Sequence, residues 1–192
     1  MTQVPDTDKV NEKQSWLKIY TIGHSTRQIG ELISLLKENG VKLLVDIRAI
    51  PKSKHNPQFA SEFLRGSLRS AAIDYLHQPS LGGLRHARKD SINLGWRNAS
   101  FRGFADYMQT EMFEQAITYL IELSRRSRTA IMCAEAVPWR CHRSLVSDSL
   151  LEHGVIVLHI MGADKVSPHK LTQFAVVEGT RVLYPPPEQM LF

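Results

Sequence analysis

Apolar runs too short for helices recur along this chain, alternating with stretches whose apolar residues fall three and four apart. Ile19, Tyr20, Thr21 and Ile22 make the first run, which stops at Gly23 and reads as a buried strand. Ile29, Leu32, Ile33 and Leu36 then share one helical face that Gly40 closes. Ser25, three residues before Gln28, has the form of a capping box, so its hydroxyl has a structural use beside any chemical one. Leu43, Leu44, Val45, Asp46 and Ile47 form a second strand, apolar on both faces except at Asp46, as buried parallel strands are. Pro51 and Pro57 end it in a loop.

The spacing of Phe59, Phe63, Leu64, Leu68 and Ala71 predicts one amphipathic helix over residues 58–72, with both phenylalanines inside. Residues 74–78 read as a short extended piece. Residues 80–100 have no period, and an irregular span of that length predicts a binding flap. Residues 101–126 are helical in two pieces, the second striped by Phe113, Ile117, Leu120, Ile121 and Ser124. Ala130, Ile131 and Met132 make another strand. Beyond Pro138, Leu145, Val146, Ser149 and Leu150 predict a helix that stops before Gly154. Residues 155–160 form a further buried strand, and the tail reads as a helix or loop followed by an extended piece at Val182, Leu183 and Tyr184.

This order implies right-handed crossovers and a single α/β domain over residues 16–192, behind a flexible tail of residues 1–15. Its expected architecture is an open, mainly parallel sheet flanked by helices, with a basic insertion or flap, residues 51–100, after the second strand. His24, Asp46, Arg48, Cys133 and Glu135 each stand just past a strand. In such a sheet they gather at the carboxyl edge, where ligands bind.

Composition narrows the setting. With two cysteines, a polar start and no apolar run approaching the ~18 residues a membrane helix needs, the 192-residue chain reads as cytoplasmic, with no membrane partner. Its formal charge is +5, yet ten basic residues face three acidic ones between Arg48 and Arg102. A basic middle suggests an anionic small molecule, a nucleotide or nucleic acid as partner. Nothing in the pattern speaks to oligomeric state.

Candidate chemistry concentrates in TAIMCAEAVPWRCHRSLVSDSLL, which packs Cys133, Glu135, Arg140, Cys141, His142 and Arg143 between a strand and a helix. Glu135 and Asp46 would be paired carboxylates, one activating water and the other steadying charge. Arg48 and Arg143 offer forked donors to phosphate, and His24 can move a proton near neutral pH. The same residues also suit plain ion pairs that tie the loops together. A second chemistry uses the thiols. Cys133 and Cys141 lack the spacing of a redox turn, but Arg140, His142 and Arg143 beside Cys141 favour its thiolate. Six residues separate Cys133 from Arg140, one more than the phosphatase loop has. A third chemistry is a zinc set of Cys133, Cys141, His142 and His24, though adjacent Cys141 and His142 diverge unless the backbone turns sharply. A non-catalytic reading makes Phe59, Phe63, Tyr75 and Trp96 a stacking surface for nucleic acid. His55, His77, His86 and His159 read as surface or satisfied core residues.

GHST at 23–26, DIRAIPKSK at 46–54, YLHQPSLGGLR at 75–85 and CAEAVPWRCHR at 133–143 together resemble the bacterial and archaeal family known as domain of unknown function 488, over about residues 19–160. The resemblance implies a compact α/β domain. It marks His24, Ser25, Asp46, Arg48, Pro51, Ser53, Gly82, Gly83, Cys133, Glu135, Cys141, His142 and Arg143 as motif positions and supplies no reaction. The combined expectation is an enzyme of hydrolysis or group transfer on a phosphate-bearing, nucleotide-like or nucleic-acid substrate. Glu135, Asp46, His24, Cys133 and Cys141 are its catalytic candidates. Ser25, Arg48, Ser53, Gly82, Gly83, Arg85, His142 and Arg143 would bind the anion. The sequence requires no cofactor, and zinc is the secondary option.

Overall fold

The computed structural model describes residues 17–52 and 56–186. Six strands form one sheet in the order β3-β2-β4-β1-β5-β6. The first five are β1 (Lys18–Gly23), β2 (Leu43–Asp46), β3 (Asp74–His77), β4 (Thr129–Cys133) and β5 (Ile156–Gly162), all parallel. Strand β6 (Lys165–Pro168) returns antiparallel along β5. The fold class is therefore the α/β one expected, with an antiparallel edge added.

Alternation along each strand divides the core between the two faces. Leu44, Ala130 and Met132 point to one side, where α1 (Ile29–Glu38) and α2 (Ser61–Ser70) contribute Leu32, Leu36, Leu64 and Leu68. Val45 and Ile131 point to the other. There α3 (Ala99–Tyr107), α4 (Glu111–Arg126) and α5 (Arg143–Glu152) bring Phe104, Ile117, Leu120, Leu145 and Val146. Helix α5 is buried continuously from Arg143 to Leu150, unlike a surface helix with one wet face. A hairpin of β7 (Val176–Glu178) and β8 (Arg181–Leu183) closes the chain and delivers Tyr184 into the second core.

Several sequence expectations change. Ser25 caps nothing: Gln28 is the N-cap of α1, without a side-chain bond, and Ser25 turns the chain at a φ of 46°. The single helix expected over residues 58–72 breaks at Ala60, whose extended backbone separates a 3-10 turn (Pro57–Phe59) from α2. Phe59 is buried, but Phe63 is 66% exposed, because Leu64 and Leu68 form the inner face of α2. Beyond Leu84, the irregular span is largely exposed, but its middle is tied to Asp106. Its carboxylate accepts from Arg88 N–H, Ser91 Oγ and Asn93 Nδ2. No helix among the described residues is long and apolar enough to cross a membrane.

Candidate functional site

Strands β2, β4 and β1 are neighbours at the centre of the sheet, so the loops leaving their carboxyl ends meet. The ladder continues past the strands: His24 N–H donates to Cys133 O at 3.0 Å, Ser25 N–H to Ala134 O at 2.8 Å and Ile47 N–H to Met132 O at 3.0 Å. Gly23 permits this closeness, since a Cβ there would stand 1.8 Å from the Glu135 carbonyl oxygen. A cleft of about 590 Å³ opens above the junction.

His24, Ser25, Arg48, Gly83, Cys133, Glu135, Cys141 and His142 all line this cleft. Asp46 and Arg143 lie behind it, buried and committed. Asp46 accepts from the Arg48 backbone N–H, from Arg48 Nε at 2.8 Å and from Tyr75 Oη at 2.8 Å. Arg48 Nη2 also donates to Phe59 O at 2.8 Å, and Nη1 reaches His24 Nε2 at 3.2 Å. Because His24 Nδ1 faces the Ser25 carbonyl at 2.9 Å, the ring is a neutral tautomer that donates there and accepts from Arg48. Burial, with the Arg48 charge beside it, holds the His24 pKa below the ordinary histidine value. The ring stacks on Phe59 with centroids 4.3 Å apart. His24 thus positions Arg48, with both nitrogens already engaged.

Arg143 donates through both terminal nitrogens to the carbonyls of Glu135 and Ala136, which fixes the loop after β4. Burial lowers its pKa, opposed by the cysteines beside it. The Glu135 side chain remains exposed at the cleft wall. Arg85 points elsewhere. It donates to Gly82 O and Ser80 O and lies 3.7 Å over the Tyr107 ring. Gly82 packs against Ala49, where a Cβ would come within 2.8 Å. Ser53 lies outside the described residues. Of the aromatic residues considered for stacking bases, Phe59 is buried, Tyr75 is held by Asp46 and Trp96 packs on Phe101, Phe174 and Tyr184.

The cleft also contains groups that sequence reasoning did not single out for the site. Lys52, Asn56, Ile50, Leu84 and Phe101 line it. The prolines flanking residues 51–57 were the available signal, because they mark a loop leaving a strand end.

At the floor the two cysteines meet His142. Cys141 is extended (φ −135°, ψ 142°) and His142 is helical (φ −56°, ψ −16°), and this change of backbone state turns adjacent side chains toward one point. His142 Nδ1 lies 3.8 Å from each sulfur. The hydrogen bond from Cys133, aided by the Arg143 charge, draws the Cys141 thiol down to about 7. The same bond, with burial, pushes Cys133 upward. These three donors, all within 4.8 Å of one another, are the set among the described residues able to hold a soft metal.

The fold is an α/β domain with a cleft at the carboxyl edge of its sheet. The chain belongs to the family described as Domain of unknown function DUF488, whose model matches residues 28–150. That span takes in the cleft from Arg48 to His142 and leaves out Gly23 and His24. No curated protein and no solved structure matches the chain.

Proposed function

We propose that the chain is a cytoplasmic enzyme that hydrolyses, or transfers a group on, a phosphate-bearing or nucleotide-like substrate in this cleft, with Glu135 as acid/base. The observation carrying this reading is the charge of the lining. Lys52 and Arg140 present cations, Arg48 being paired with Asp46 behind the wall, while Glu135 is the one carboxylate among the described lining residues. Cations on the walls suit an anionic substrate, and a carboxylate with no ion pair among the described residues suits proton transfer. Ile50 and Leu84, 59% and 71% exposed, add apolar wall for an organic body beside the anion. The volume lies within the ~300–1,000 Å³ of small-molecule sites.

The test is a thermal-shift screen of nucleotides, sugar phosphates and modified nucleosides, followed by turnover assays on those that stabilise the chain. Glu135→Gln should lower turnover at least ~100-fold, the usual contribution of a general acid/base. Unchanged turnover in the folded variant would overturn the role.

A further inference from the structure

We propose that Cys133, Cys141 and His142 bind a zinc-type divalent cation whose fourth position opens into the cleft. Zinc holds sulfur at about 2.3 Å and nitrogen at about 2.0–2.1 Å, so tetrahedral coordination has a sulfur-to-nitrogen edge of about 3.6 Å. Both such edges here measure 3.8 Å. The two sulfurs lie within 4.8 Å of each other, against an edge of about 3.8 Å in tetrahedral coordination, so closure by up to about 1 Å would complete the site.

The imidazole supplies an independent argument. Among the described residues, His142 Nε2 is buried without a hydrogen-bond partner, and the two sulfurs are the polar atoms facing Nδ1. Both sulfurs face the same ring nitrogen, so a soft cation at Nδ1 would meet three converging donors, with the ring proton left on Nε2. The neighbouring backbone also leaves room. A Cβ on Gly83 would lie 2.4 Å from Nδ1, so any side chain at that position would fill the space beside the donor. Three protein ligands with one open position are the pattern of catalytic zinc; structural sites are closed by four. All three residues line the cleft.

This inference rests on the hydrolytic reading for its chemistry. A carboxylate two residues after one soft ligand, with further ligands supplied by a later turn, parallels zinc deaminases, whose glutamate moves protons and binds no metal. A bound cation would lower the pKa of its water. Glu135 would take one proton from that water and return it to the leaving group as the new oxygen bond replaces the one broken. The bonds from Arg143 to the carbonyls of Glu135 and Ala136 hold that carboxylate's backbone in place.

The test is metal analysis of the full chain purified under reducing conditions, then titration of the chelated protein with zinc and with cobalt. The expected result is about one equivalent bound, a tetrahedral cobalt spectrum with thiolate charge-transfer bands, and zinc protection of both cysteines against alkylation. Cys133→Ser, Cys141→Ser and His142→Ala should each weaken zinc at least ~100-fold, more than loss of an outer-shell partner does. Glu135→Gln should bind it unchanged. Protection from alkylation needs no variant, so misfolding of one cannot mask the answer. Absence of bound metal, or cysteines that alkylate or pair as a disulfide regardless of zinc, would overturn the site. Binding without hydrolysis of any substrate would remove the proposed reaction and leave the site standing. Turnover that depends on Glu135 in a chain that binds no metal would do the reverse.

Discussion

Helix α5 carries polar residues into the interior at two places, and the molecule finishes them in opposite ways. At its middle, the Asp148 carboxylate accepts from His169 Nε2, from Thr172 N–H and Oγ1 and from Tyr184 Oη, all at 2.7–3.0 Å. The chain of partners continues from there. His169 donates through Nε2, so its Nδ1 accepts from His159 Nε2 at 2.9 Å, and His159 Nδ1 accepts from Thr21 Oγ1 at 2.7 Å. Every ring nitrogen in that chain is used. At the N-terminus of α5, by contrast, His142 Nε2 and Arg143 Nε are buried without partners among the described residues, and two free cysteines face an imidazole. A saturated buried network specifies structure, whereas an unsatisfied one marks a place that structure alone does not account for. Asp148 is therefore a staple for the C-terminal hairpin, and the floor of the cleft is where we propose a ligand.

The largest effect should come from breaking the staple. Asp148→Ala strips four donors of their acceptor in a site with no exposure, and should cost about 3–5 kcal/mol. Urea denaturation measures the loss, and hydrogen exchange should show β8 opening ahead of β1. Zinc affinity should stay unchanged in the folded fraction. If Cys141→Ser in chelated protein cost more stability than Asp148→Ala, the roles assigned to the two clusters would have to be exchanged.

Acid should sharpen the contrast next. Burial, with the His169 imidazole and the Arg143 charge nearby, lowers the His159 pKa from the ordinary 6.5 to about 4, and Asp148 opposes the shift only in part. The unfolded chain then binds the proton more readily than the folded one. Its contribution to stability is complete above about pH 6.5 and is lost as pH falls toward about 4, a change on the order of 2 kcal/mol. His159→Gln should flatten that part of the stability profile. A profile equally steep in both proteins would move the acid sensitivity elsewhere.

Much of the cleft could be read before any coordinates, for a physical reason. Strands buried on both faces are written as continuous apolar runs, so the ends of β1, β2 and β4 were visible, and with them the meeting of His24, Arg48, Cys133 and Glu135. The staple could not be read that way. Strand β6 is exposed throughout and β7 nearly as open, so neither leaves an apolar pattern, and the partners of Asp148 come from distant segments. The break at Ala60 and the turn at Ser25 are changes of backbone angle that the spacing of apolar residues does not encode. The convergence of Cys141 with His142 likewise depends on one change of dihedral angles between adjacent residues, which spacing does not encode.

The smallest effect on stability should come from the residue with the largest effect on chemistry. Glu135 is exposed, and Arg143 grips its backbone carbonyl while its carboxylate is left at the cleft wall. Replacing that carboxylate by an amide keeps the carbonyl bond, changes no buried contact and should shift stability by no more than ~0.5 kcal/mol. Asp148→Ala should show the opposite balance: a large folding loss with the cleft intact. A denaturant midpoint for Glu135→Gln displaced by more than ~1 kcal/mol would mean the side chain pairs with Arg143 after all. Glu135 would then join the structural network, and the two clusters on α5 would differ in degree only.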